Sequence, residues 1–167
     1  YEASGDLASE RGVFPNWKRS RHYPERPLRN ASCNSIAPTG SISVIAGTSY
    51  SIEPLYALSF RRVGILGGRQ QRETNPAVHR VLQTEGLWTE AVQREIMQKG
   101  SVSGLDQAPM SLKNLLATAH EIPWEYHLAH QQAFQEFTDN AVAKTVNLPR
   151  DPPAGIISSI YRNAWEM

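Results

Sequence analysis

Apolar positions recur at helical spacing through most of the chain. Val78, Val81 and Leu82 form one stripe, so residues 75–84 read as a helix. Asn75 caps it, Pro76 takes its first position and Gly86 stops it. Thr89 opens a second helix that runs to Lys99, with Val92 and Ile96 inward and Gly100 as terminator. Leu112, Leu115, Leu116 and Ala119 predict a helix over 111–121. Pro123 begins another, to about Thr138, whose buried face would be Tyr126, Ala133, Phe134 and Phe137. Ile156, Ile157, Ile160, Tyr161, Ala164 and Trp165 give residues 154–167 a wide apolar face. The opening pattern is weaker: Ala3, Leu7 and Ala8 mark a helix over 1–11 that Gly5 weakens and Gly12 ends.

Alternation replaces helical spacing elsewhere. Residues 51–63 are rich in Leu, Tyr, Phe and Ile and read as extended, followed by a mobile hairpin or loop at Gly64, Gly67 and Gly68. Over 141–148, Ala141, Ala143, Thr145 and Asn147 face one way, and Val142, Lys144, Val146 and Leu148 the other. A short apolar strand is expected at Ser35, Ile36 and Ala37. Residues 149–153 form a Pro-rich linker, and no internal repeat or low-complexity segment interrupts the pattern.

The chain has 167 residues, enough for one domain with its own core. Lys plus Arg is 17 against 16 for Asp plus Glu, and this balance argues against a broad nucleic-acid surface. The one concentrated basic run, Lys18 to Arg29, is broken by Glu25, Pro24 and Pro27 and reads as a solvated loop rather than a phosphate patch. No apolar run approaches the length of a membrane span. A single Cys excludes an internal disulfide and a Cys-rich metal site, which suits a reducing cytoplasm. The chain opens on Tyr1 inside a helical pattern, without an initiator Met or a signal-peptide pattern, and reads as a piece of something longer.

The most informative stretch is RNASCNSIAPTGSISVIAG, residues 29–47. Pro38 ends the strand, Thr39 is suited to an N-cap, and Gly40 admits a close approach to the backbone. A short helix then runs to Gly47. The first amides of a helix have no partner inside it, so strand, glycine turn and helix start together suit an anion, phosphate above all. The plain alternative is an ordinary capped strand–helix turn.

With SYSIEPLYAL after it, this stretch resembles the catalytic barrel of ribonucleotide reductases. AFQEFTDNAVAKTVNLP and the opening ASERGVFPNW are similar to the same family, and the three blocks stand in family order over nearly the whole chain. The wording of APTGSIS and DNAVAKTVNLP resembles the adenosylcobalamin-dependent class; two-subunit reductases carry a more Ser/Thr-rich phosphate loop. The resemblance implies an α/β fold, part of a ten-stranded α/β barrel, with residues 1–167 a partial catalytic barrel domain incomplete at both ends. It implies that Pro38, Thr39, Gly40, Ser41 and Ile42 bind the substrate phosphates. The implied reaction replaces a ribose 2′-hydroxyl by hydrogen: adenosylcobalamin, the only source of cobalt, cleaves homolytically, and a cysteine thiyl radical takes the 3′-hydrogen. The implied partners are a ribonucleotide, the rest of the barrel and an external dithiol such as thioredoxin. A homodimer is compatible, and the compartment is cytoplasmic, with neither nucleic acid nor membrane as partner. The family's radical Cys and its active-site Glu belong to an earlier strand, and no residue here matches them, so the isolated chain is expected to be inactive.

Other residues carry chemistry less well. Cys33 does not match the radical cysteine and is expected to pack as a small hydrophobe. Glu53, in IEP, matches a family motif; with no visible partner, it is expected to hydrogen-bond structurally. His79 has no second ligand at i+4, and His127 with His130 lacks a third, so a metal site is disfavoured. His127 matches a position where the family often has His; His130 replaces a more usual apolar residue. A second reading of another class is a non-catalytic nucleotide-binding module, or a subunit that completes a split barrel.

Overall fold

The computed structural model describes residues 1–65 and 69–167. In chain order the elements are α1 (Glu2–Arg11), a 3-10 turn (Trp17–Arg19), α2 (Gly40–Ala46), β1 (Ser59–Ile65), β2 (Arg69–Thr74), α3 (Pro76–Thr84), α4 (Glu90–Lys99), α5 (Met110–Leu115), α6 (Trp124–Gln135) and α7 (Ile156–Glu166). They divide between two compact units, Tyr1–Ala37 with His130–Ala143, and Pro38–Ala129 with Lys144–Met167.

In the first unit, α1 ends as expected, with the Gly12 amide returning to the Ala8 carbonyl at 2.9 Å. Ser4 is buried with its hydroxyl and carbonyl both satisfied: the hydroxyl accepts the Asn30 amide at 3.0 Å and donates to Asn30 Oδ1 at 3.1 Å, and the carbonyl accepts the Arg29 amide at 2.9 Å. Ala8, Phe14 and Leu28 are the buried apolar residues nearby in sequence. Asn34 holds residues 137–140, donating to the Phe137 carbonyl at 2.8 Å and accepting the Asp139 amide at 2.8 Å. Ile36 then makes one parallel bridge with Val142.

That bridge is all that forms of the two strands expected at 35–37 and 141–148. The amides that would build a ladder go elsewhere. Val142 donates to the Gln135 side chain at 3.3 Å, and Thr145 donates to the Glu53 carboxylate at 2.6 Å.

The second unit holds the main core. Leu58, Val78, Leu82, Val92, Ile96, Val102, Leu105, Ala108, Leu112 and Leu116 pack together, with Leu55, Val81, Leu87 and Trp88 against them. The helices α3 and α4 begin and end where their caps predict: Asn75 Oδ1 accepts the Ala77 amide at 2.9 Å, and Thr89 Oγ1 accepts the Val92 amide at 3.3 Å. The hairpin also forms, β1 pairing antiparallel with β2, and Ser59 stands opposite Thr74. Gly67 and Gly68, expected at its turn, lie outside the described residues.

Three helical expectations need correction. The helix expected over 111–121 stops at Leu115, because Glu121 folds back to accept both the amide and the hydroxyl of Thr118 at 2.8 Å. Leu115 is consequently 69% exposed, although Leu112, Leu116 and Ala119 are buried. On α6 the buried residues are His127 and Leu128, while Tyr126, Ala133, Phe134 and Phe137 are exposed. A ring with a hydrogen-bond partner at each nitrogen can be buried cheaply, and His127 takes the inward place expected of Tyr126. On α7, Ile160 is buried and Ile157, Tyr161 and Trp165 are exposed. No helix among the described residues is long and apolar enough to cross a membrane.

Candidate functional site

The expected phosphate turn takes its shape from Thr39. Helix α2 starts at Gly40 and ends at Ala46, with Gly47 in the left-handed conformation as its C-cap. Thr39 stands at the N-cap, but at φ 53° and ψ 32° rather than extended. For a β-branched residue this is an outlier that neighbouring contacts must hold. Its hydroxyl supplies them, accepting the Ser51 amide at 2.8 Å and hydrogen-bonding the buried Ser43 hydroxyl at 2.9 Å. It makes no bond to the helix amides, contrary to the usual cap. The first backbone bond of α2 runs from the Ser43 amide to the Thr39 carbonyl at 3.0 Å. The amides of Gly40, Ser41 and Ile42 therefore lie ahead of the ladder and outside the reach of the capping side chain. A Cβ built on Gly40 would meet nothing within 4 Å, so space is open beside the turn. Pro38, Gly40, Ser41 and Ile42 are exposed and Thr39 half-buried.

Twelve residues on, Ser51 is the other non-glycine residue with positive φ, 46°, among the described residues. Its hydroxyl oxygen is buried with no hydrogen-bond partner among them. Two strained residues thus face each other through one hydrogen bond, a concentration typical of functional turns.

Glu53 follows, and the partner that the sequence does not reveal is Lys144. The Lys144 side chain is 1% exposed, and its ammonium lies 2.5 Å from Glu53 Oε2. Glu53 Oε1 accepts the Thr145 amide at 2.6 Å. The same ammonium is 2.9 Å from His127 Nδ1 and 2.5 Å from the Thr145 carbonyl, so all three of its protons have acceptors. His127 Nε2 sits 3.1 Å from the Ala119 carbonyl, and since a carbonyl only accepts, Nε2 carries the ring proton and Nδ1 accepts from Lys144. Lys144 has one signal in the sequence: it is the single charge on a face otherwise made of Val142, Val146 and Leu148.

Cys33 is exposed, which corrects the expectation that it packs; its amide is held by Asp139 Oδ2 at 2.7 Å. His130 lies edge-on to Phe134 with ring centroids 5.1 Å apart, and His79 likewise to Trp88 at 4.5 Å. Glu121 combines opposing effects. Partial burial pushes its carboxyl up, but hydrogen bonds from Ser101, Thr118 and Ser103 outweigh that and hold it below the usual carboxylate range.

Residues 21–167 match the family model described as the ribonucleotide reductase barrel domain. The chain belongs to the ribonucleotide reductase family. The chain is 40% identical over 166 residues to the vitamin B12-dependent ribonucleoside-diphosphate reductase of Mycobacterium tuberculosis (strain CDC 1551 / Oshkosh), covering 99% of the chain and 24% of that relative. It is 38% identical over 168 residues to the enzyme of the same name from Thermoplasma acidophilum, covering 100% of the chain and 22% of that relative. Among solved structures, the class Id ribonucleotide reductase alpha subunit of Actinobacillus ureae superposes with a TM-score of 0.78 at 26% identity, over 99% of this chain and 29% of that chain. The chain thus spans about a quarter of the length of the curated relatives it matches. The described residues carry seven α-helices and a two-stranded sheet, the barrel-domain portion of the fold rather than a closed ten-stranded barrel.

Proposed function

We propose that this chain supplies the substrate-phosphate part of a ribonucleotide reductase catalytic barrel, and that the complete protein reduces ribonucleotides to deoxyribonucleotides. The observation that carries the reading is the turn at 38–42. Three successive amides, of Gly40, Ser41 and Ile42, precede the first backbone bond of α2 beside open space, in a chain of this family. Amide dipoles at a helix start favour negative charge, and bonds to an ionised phosphate are the stronger kind. Pro38 fixes the entry to the turn, and Thr39 spends its hydroxyl on Ser43 and Ser51 and so acts through backbone position. The Ser41 hydroxyl is the side-chain donor of the set.

The diphosphate is the substrate form that the names of the relatives support, and those names also support adenosylcobalamin as cofactor. A cavity of about 280 Å³ lined by Tyr1, Arg21, His22, Glu25 and Arg26 is charged and too small for a corrin. It does not fit the cofactor. The dithiol that reduces the enzyme after turnover is external, of the thioredoxin kind.

The test is an assay of the complete protein carrying this segment with adenosylcobalamin, a ribonucleoside diphosphate and a dithiol. Deoxyribonucleotide formation that needs the cofactor is expected. Its absence, with triphosphate as well as diphosphate, overturns the reading.

A further inference from the structure

Glu53 and Lys144 serve no role in the reading above, yet they close a ring around the phosphate turn's support. Lys144 joins Glu53 to His127 (2.5 and 2.9 Å), His127 joins Ala119 (3.1 Å), and the Ala119 amide returns to the carbonyl of Leu55 at 2.8 Å, two residues beyond Glu53. The segment from 53 to 55 is therefore fixed from both sides. Ser51, two residues earlier, is where that fixed segment meets Thr39. Neither Thr39 nor Ser51 would adopt positive φ unaided, and the two hold each other through one bond.

We propose that Glu53, locked by Lys144 and His127, is a positioning residue that keeps Thr39 in its left-handed conformation and thereby aims the amides of Gly40, Ser41 and Ile42 at the substrate's phosphates. The proposal rests on the phosphate-binding reading of that turn. Glu53 touches no substrate. It acts through the Ser51 amide, so its loss falls on substrate binding and not on the chemical step.

The experiment is a double-mutant cycle between Glu53→Gln and Thr39→Gly in the complete reductase carrying this segment. Glycine takes the left-handed conformation without help, so a Thr39→Gly background no longer needs the lock. Glu53→Gln is expected to raise KM for the ribonucleotide about 5- to 20-fold with kcat changed less than about 2-fold, and to raise KM less than about 2-fold in the Thr39→Gly background. Glu53→Asp, which keeps the charge, is expected to recover most of the loss. An equal KM effect in both backgrounds, or a loss confined to kcat, overturns the proposal. Hydrogen exchange at the Ser51 amide is the second readout and needs no activity: Glu53→Gln, or Lys144→Met if the former does not fold, should expose it about tenfold or more. Unchanged exchange overturns the proposal even if the unmodified enzyme proves to reduce no ribonucleotide, an outcome that would sink the reading of function separately.

Discussion

Asp139 accepts the Cys33 amide at 2.7 Å across 106 residues of sequence. The same carboxylate is hydrogen-bonded by the Tyr1 hydroxyl and lies 3.3 Å from Arg21. The bond from Tyr1, then that from the Cys33 amide, and then the Arg21 charge hold its carboxyl below the usual carboxylate range. A lowered value in the folded state means stability that is present above the unfolded carboxylate's value and lost as pH falls through the folded one. Asp139→Asn is expected to remove that part of the acid sensitivity. Urea midpoints from pH 7 down to pH 2 check it: the variant should start less stable and lose less on acidification. Parallel curves would contradict the assignment.

Gly100 makes a separate prediction. It ends α4 at φ 74°, and a Cβ there would lie 3.1 Å from the Ala57 Cβ, while its carbonyl accepts the Leu58 amide at 2.7 Å. Gly100→Ala should cost about 1–2 kcal/mol for the left-handed backbone alone, with more from the contact. In an Ala57→Gly background only the contact part should return. Denaturant midpoints for the four proteins separate the two terms, and full recovery would show that the backbone conformation costs nothing.

Buried Leu82 and exposed Leu115 fall on equivalent-looking stripes in the sequence. Leu82→Ala should cost about 2–5 kcal/mol, because the core cannot fully collapse around the lost atoms. Leu115→Ser should stay within about 0.5 kcal/mol in the same measurement. Comparable losses would mean that α5 continues past Leu115 in solution.

What the sequence made legible was local. The caps Asn75, Thr89, Gly47 and Gly100 and the stripe Val78–Leu82 decide their elements with neighbours a few residues away, and those elements lie where expected. Contacts distant in sequence left no such trace. Glu121 shortens α5 through Thr118, His127 is buried on α6 because Ala119 and Lys144 satisfy its ring, and Thr145 gives its amide to Glu53 instead of a strand ladder. The turn at 38–42 was visible as residues, but the conformation of Thr39 was not, because it depends on Ser51. Lys144 stood out only as a charge among apolar neighbours, and nothing local names Glu53 as its partner.

The turn itself gives the last prediction. Gly40 is the first residue of α2 and its φ is not left-handed, so valine there strains no backbone, and its Cβ meets nothing within 4 Å. Gly40→Val should fold normally and fail only where a ligand must come close, which isolates binding from stability. Ser41→Ala removes one hydroxyl and leaves the amides. A hydrogen bond to a charged group is worth about 1.5–3 kcal/mol, so affinity for the ribonucleotide should fall about 10- to 150-fold at most. Gly40→Val should fall further, since it blocks the amides as a set. Cys33→Ser, at an exposed residue held through its backbone amide, should bind and turn over nearly as the parent does. Calorimetric affinities and turnover of the three variants in the complete enzyme decide the matter. Normal binding by Gly40→Val together with lost turnover in Cys33→Ser would reverse the roles assigned to the two residues and remove the phosphate from this turn.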